Sequence, residues 1–88
     1  MRIWKYPLQT VDIQTVQIPY IARLLCVQMQ HGTPCLWALV DEGVTTIPWH
    51  FTTYGTGNPM PDSDPGQYVG TYQLLEGDLV FHVFHKMA

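Results

Sequence analysis

Positive charge is scarce in this chain. Of its 88 residues only four are Lys or Arg, against seven Asp or Glu, for a formal net charge of −3. The four, Arg2, Lys5, Arg23 and Lys86, are scattered along the sequence. Holding a nucleic-acid backbone takes several Lys or Arg contacts with phosphates, so one copy cannot assemble a basic face, and the composition argues against DNA or RNA binding. Long apolar runs are also missing: no segment approaches the roughly 18 residues of a membrane span, and no basic stretch followed by an apolar run opens the chain. The expectation is a soluble, intracellular protein with no membrane partner. Cysteine is limited to Cys26 and Cys35, and nothing in their setting suggests a secreted disulfide scaffold.

What the chain has is apolar surface. Hydrophobic residues make up 47 % and charged residues only 12 %, where a soluble domain carries about 25 % charged residues. A domain this small hides only about 60 % of the surface its unfolded chain exposes, so part of the apolar surface is expected to meet another subunit in a homo-oligomer.

No segment sustains a helical period, no internal repeat occurs, and turn signals return about every ten residues. The pattern is that of a single all-β domain over residues 1–88: a small antiparallel β-sandwich or partly open barrel of about six to seven strands, with at most one short helix. The strand candidates are Arg2 to Tyr6, which stops at Pro7, and Val11 to Ile18, whose change of parity implies a bulge or bend near Gln14. "ARLLCVQMQ" and "CLWALVD" flank the turn "HGTP", with a helix conceivable only around Pro19 to Leu25. "TTIPWHFTTY" carries Pro48, which implies an edge position or a bulge. "QYVGTYQLL" and "DLVFHVFH" close the chain around the two-residue turn Glu76–Gly77.

If the first hairpin turns through all of "HGTP", opposed residue numbers sum to 65 and Cys35 faces Gln30. The two cysteines then lie about four strand residues, or roughly 13 Å, apart, too far for a disulfide. Leu25, Val27 and Met29 share the core face with Leu36, Ala38 and Val40. In the last hairpin opposed residues sum to 153, which pairs Tyr72 with Phe81, Gly70 with Val83, Tyr68 with His85 and Val69 with Phe84; Gly70 makes room for its aromatic neighbours. Leu79 to His85, apolar on both faces, belongs at the centre of a sheet.

Chemistry is harder to find. His82 and His85 look like a metal pair, but on a strand an odd spacing sends them to opposite faces, and His31 and His50 have no Cys or carboxylate at a ligand spacing. No metal and no cofactor are expected. Cys35 beside His31 lacks an orienting group, and Asp62 and Asp64 read as solvated turn residues, so no catalytic residue is assigned and the chain is not expected to be an enzyme. "GTGNP" lacks the third glycine of a dinucleotide loop and the Lys of a P-loop, and "MPDSDPGQ" after it cannot start a helix. "GTGNP" reads first as a strand connection with positive-φ glycines, but the backbone N–H groups of Gly55, Thr56, Gly57 and Asn58 can still form an anion nest inside a long loop, with Trp49, Tyr54 and Tyr68 near enough to stack a ring and Arg23 or Arg2 to reach a phosphate.

The motifs "HGTPCLWALVD", "YGTGNPMPD" and "YVGTYQ…LVFHVFH", in this order after "IWKYPL", resemble a family of small uncharacterised proteins encoded in bacteriophage genomes. The likeness runs through nearly the whole chain and departs at "TTIPWHF", around Pro48 and Trp49. It brings no assigned activity. It implies a phage product acting in the host bacterial cytoplasm, where small acidic proteins inhibit host factors or sequester nucleotide signals of host defence. The combined expectation is a non-enzymatic, homo-oligomeric binding protein that sequesters a small nucleotide-like signalling molecule. The alternative is a protein-binding inhibitor of a host enzyme or defence complex.

Overall fold

The structure, a computed structural model, describes residues 1–87. Seven strands follow one another: β1 (Arg2–Pro7), β2 (Ile13–Pro19), β3 (Ala22–Gln30), β4 (Thr33–Val40), β5 (Thr46–Gly55), β6 (Gln67–Leu74) and β7 (Leu79–Lys86). All pairing is antiparallel. One sheet has the order β1-β4-β3 and the other β2-β5-β7-β6, an all-β sandwich-like arrangement that does not close into a barrel. The one helical feature among the described residues is a 3-10 turn at Leu75–Gly77, and the Pro19 to Leu25 stretch is extended rather than helical.

Turn chemistry sets the registers. His31 and Gly32 both have positive φ, 49° and 79°, as a two-residue hairpin turn that matches strand twist requires. The β3–β4 turn is therefore two residues, with Gln30 opposite Thr33 and Cys35 opposite Gln28. This corrects the expected Gln30–Cys35 pairing by two positions. An even slip preserves the faces, but a bulge between Leu24 and Cys26 does not. Beyond it Leu24 and Ala22 pair with Ala38 and Val40 on the core face, while Leu25 and Met29, expected in the core, are exposed. Cys26 faces Trp37, making the cysteines diagonal neighbours rather than distant ones; both are free thiols.

The β6–β7 register follows the sequence pattern from Gly70–Val83 to Leu74–Leu79. The connection is four residues long rather than two, with Leu75, Glu76 and Gly77 all at positive φ and the Asp78 N–H donating to the Leu75 carbonyl at 3.0 Å. A bulge at Val69 then moves Tyr68 opposite Phe84 and Gln67 opposite His85, in place of the expected Tyr68–His85 and Val69–Phe84 pairs. β2 pairs regularly with β5, so no bulge forms at Gln14, and Val11 precedes the strand.

Both β5 and β7 are interior strands. Pro48 is tolerated inside β5 because β7 reaches only as far as the His50–Lys86 pair, leaving Pro48 with one neighbouring strand, opposite Gln17. The core between the sheets is built from Ile18, Leu36, Val40, Phe51 and Val83, all fully buried. Tyr72 is buried with them, and its hydroxyl lies 2.8 Å from Thr10 Oγ1.

The sheets approach most tightly where β3 crosses β6. A Cβ placed on Gly70 would sit 2.7 Å from the backbone nitrogen of Val27. Gly70 thus serves the opposing backbone and not its aromatic neighbours, correcting the reading from the hairpin alone. Gly70→Ala should lower unfolding stability by about 1–3 kcal/mol, the usual cost of overpacking against atoms that cannot step aside. Gly43→Ala, whose Cβ would meet only the Asp41 carboxylate at 3.5 Å, should change it by less than about 0.5 kcal/mol. Urea denaturation of both variants measures the difference.

Candidate functional site

The eight residues marked for ligand binding fall in three places. The first is a hollow of about 570 Å³ at one end of the sandwich, where Arg23 of β3 and Trp49 of β5 come together. The start of β6 adds Gln67, and the end of β7 adds His85 and Lys86. Trp49 is half-buried and held: its indole N–H donates to the Ile18 carbonyl at 3.2 Å, and its ring lies 4.7 Å from that of His85. His85 is buried, packed also on Phe51, with Nδ1 3.1 Å from the His50 carbonyl oxygen. A carbonyl only accepts, so Nδ1 carries a proton, and in the neutral ring Nε2 is then the acceptor.

The rim of this hollow is fixed by a tight turn. Lys86 Nζ donates to the Asp64 carbonyl at 3.0 Å, and the Gly66 N–H donates to the Asp64 carboxylate at 2.8 Å. Gly66 has φ +96°, and a Cβ there would strike the His85 carbonyl oxygen. Only glycine lets the turn lie against the end of β7. Two of the four cationic residues thus line one hollow, whose acidic member, Asp64, is already accepting a backbone hydrogen bond. Of the other two, Arg2 pairs with Glu42 at 2.7 Å and Lys5 donates to Gln30. Arg2, considered for a phosphate, is committed elsewhere.

The second place is the loop Gly55 to Asn58. Its expected anion nest does not form, because two of its amides are consumed by the turn itself: the Thr56 N–H donates to the Val80 carbonyl at 2.9 Å and the Asn58 N–H to the Gly55 carbonyl at 3.1 Å. Gly55 is the last residue of β5, opposite Phe81, and Gly57 takes the positive φ of the turn, 86°. Two of the hollows beside the loop, about 480 and 370 Å³, bring Tyr54, Gly55, Thr56 and Asn58 to their walls. Their charged members are Asp12 and Asp78, with no Lys or Arg. A phosphate there would meet carboxylates.

The third place is the outer face of the four-stranded sheet. Phe84 stands edge-on between Tyr54 and Tyr68, with ring centres 6.0 and 5.7 Å away. A chain of hydrogen bonds runs beside it: Tyr68 hydroxyl to Thr71 Oγ1 at 2.6 Å, Thr71 Oγ1 to His82 Nδ1 at 3.0 Å, and His82 Nε2 to Thr56 Oγ1 at 2.6 Å. Tyr68 is therefore linked to the loop but lies on the opposite side of the sheet from Trp49. Sequence reasoning passed over His82, Thr71 and Phe84 as site residues, although the rule that opposed residues sum to 153 already puts Thr71 across from His82.

Elsewhere the chemistry is sparse. His82 faces outward and His85 inward, as alternation on a strand demands. Among the described residues no three His, Cys, Asp or Glu side chains come together to hold a metal ion. Cys35 is buried with Sγ 3.5 Å from the Thr33 carbonyl oxygen, and His31 is exposed in the turn. The pKa of the Tyr6 phenol is raised above its usual value, first by burial and then by the charge of Glu42, and Tyr6 lines none of the hollows described above. Among the described residues no helix is long and apolar enough to cross a membrane.

The chain belongs to a family described as a domain of unknown function, DUF7352, which matches residues 1–88. No curated protein and no solved structure matches it.

His82 ties the loop to the sheet through two side-chain hydrogen bonds, each worth at most about 1 kcal/mol net near the surface. His82→Ala should cost about 1 kcal/mol in denaturant unfolding. It should also speed hydrogen exchange at the Thr56 and Asn58 amides more than at amides in β4, measured by NMR.

Proposed function

We propose that this chain is a non-enzymatic binding protein that holds a small anionic molecule bearing a planar ring, of the nucleotide type, in the hollow beside Trp49. The carrying observation is that Arg23 and Lys86 line the same hollow as a fixed indole ring. Arg presents a planar fork of donors that matches a phosphate, and Lys adds a point charge. An indole supplies the flat surface on which any base can stack. Gln67 and His85 Nε2 offer donor and acceptor capacity for the edge of the ring. The setting proposed is the one implied by the likeness to bacteriophage proteins: a homo-oligomer that sequesters a signalling nucleotide inside a bacterium and so counters host defence.

The outer sheet face favours a second reading, a protein-binding inhibitor of a host enzyme. Ile13, Thr15, Thr52, Tyr54, Tyr68 and Phe84 share this face, with aromatic side chains at its centre and Lys86, opposite His50, as a charged residue at its end; a centre of that kind has the composition of a protein interface core.

Native mass spectrometry of protein purified rapidly from a bacterial host, beside a denatured sample, tests the first reading. A few hundred daltons of bound mass per site, released on denaturation and lost in Arg23→Glu, is the expected result. Affinity for the released molecule should fall at least about tenfold in that variant, the loss of one charge-assisted hydrogen bond. Protein without bound mass, or retention unchanged in Arg23→Glu, would overturn it. The second reading instead expects a single host protein captured by the immobilised chain, and its capture abolished by Tyr68→Glu.

A further inference from the structure

The hollow beside Trp49 does not end at Trp49. β5 runs on to Thr46 after its last pairing with β7, His50 with Lys86, so the sheet has a notch where β7 stops. The notch encloses about 300 Å³ between Tyr20, Ile47, Pro48 and His50, and it shares Trp49, His85 and Met87 with the larger hollow. The Trp49–His85 ring pair is the wall common to both. Tyr20 is fixed at the far side because its N–H donates to the Thr45 carbonyl at 3.0 Å, fastening the end of β2 to the start of β5.

The notch differs chemically from its neighbour. No Lys, Arg, Asp or Glu lines it. Four of its walls are rings, Tyr20, Trp49, His50 and His85, and Pro48 is a fifth flat group. Apolar side chains are left in solvent around it: Tyr20 is 54 % exposed, Ile47 38 % and Met87 77 %. Flat apolar walls accept a flat uncharged guest. They offer nothing to a second charged phosphate.

We infer that the ligand has two ring-bearing halves, a dinucleotide and not a mononucleotide: phosphate charge at Arg23 and Lys86, one base against Trp49 from the larger hollow, and the second base in the notch beyond the Trp49–His85 pair. This rests on the nucleotide reading above and specifies it. The two spaces together stay within the roughly 300–1,000 Å³ of a site for one small molecule. Arg23 and Lys86 outnumber Asp64 by one charge in the larger hollow, and a cyclic dinucleotide meets it with phosphodiesters that each carry one negative charge.

AMP and GMP have nearly the same total charge at neutral pH as cyclic di-AMP and cyclic di-GMP, so the comparison holds the charge count fixed while adding a second nucleoside with its phosphodiester linkage. Isothermal titration of the full chain with these four compounds is the test. At least one cyclic dinucleotide should bind about tenfold or more tighter than its mononucleotide, the increment that stacking one further base supplies. Tyr20→Ala and, separately, Ile47→Ala should bring that ratio toward one. Equal affinity for the mononucleotide and the dinucleotide in the unaltered chain would overturn the two-part site and leave the nucleotide reading standing. A preference that survives both substitutions would overturn the assignment to the notch. Absence of binding by all four would overturn both.

Discussion

The fold hangs on one close contact, Gly70 of β6 against the backbone of Val27 in β3. β3 and β6 are the edges of different sheets, and this crossing joins them into one sandwich. Each strand carries a bulge directly beside it, between Leu24 and Cys26 in β3 and between Tyr68 and Gly70 in β6. Bulges bend a strand and increase its twist. Paired in this way, they let two edge strands cover each other instead of offering open edges to other chains. The hollow lies just past them: Ala22, Arg23 and Leu24 precede the β3 bulge, and Gly66 and Gln67 precede the β6 bulge. The contact that closes the core therefore also fixes the walls of the proposed site.

Those bulges were illegible in the sequence. Neither Leu25 nor Val69 is a glycine or polar residue that would mark an insertion, and both lie beside the contact of Gly70 with Val27, which no local pattern announces. The last hairpin was legible because a four-residue loop centred on Glu76 and Gly77 keeps the same register as a two-residue turn at those positions. The first hairpin was misplaced because "HGTP" was counted as one turn. His31 and Gly32 close the chain by themselves, which returns Thr33 and Pro34 to β4. Strand number, fold class and the interior place of β7 depended only on alternation and turn spacing, and these are local properties.

The site was half legible for a related reason. "GTGNP" drew attention as a compact motif, but a turn this tight uses its own amides to close, and none of the surrounding charge is positive. Arg23 and Trp49 were chosen for their chemistry, and the fold does bring them together. Lys86, Gln67 and His85 were missed because no spacing along the chain connects them with Arg23. What unites them is the end of β7 meeting the first residues of β3 and β6.

Scarcity of charge then becomes informative. A chain with net charge −3 does not draw anions from a distance, and at physiological salt fields decay within about 8 Å. Any anion must be held by contacts made inside the hollow. With Arg2 bound to Glu42 and Lys5 to Gln30, Arg23 and Lys86 are the cations left to meet an anion there, and Asp64 on the same rim offsets one of them. A nucleoside triphosphate, with its larger charge crowded on one end, would stay under-neutralised next to Asp64. A phosphodiester spreads single charges between rings, so its affinity can come chiefly from apolar and stacking contacts. This sandwich, poor in ions and rich in aromatic side chains at that end, has such contacts in supply.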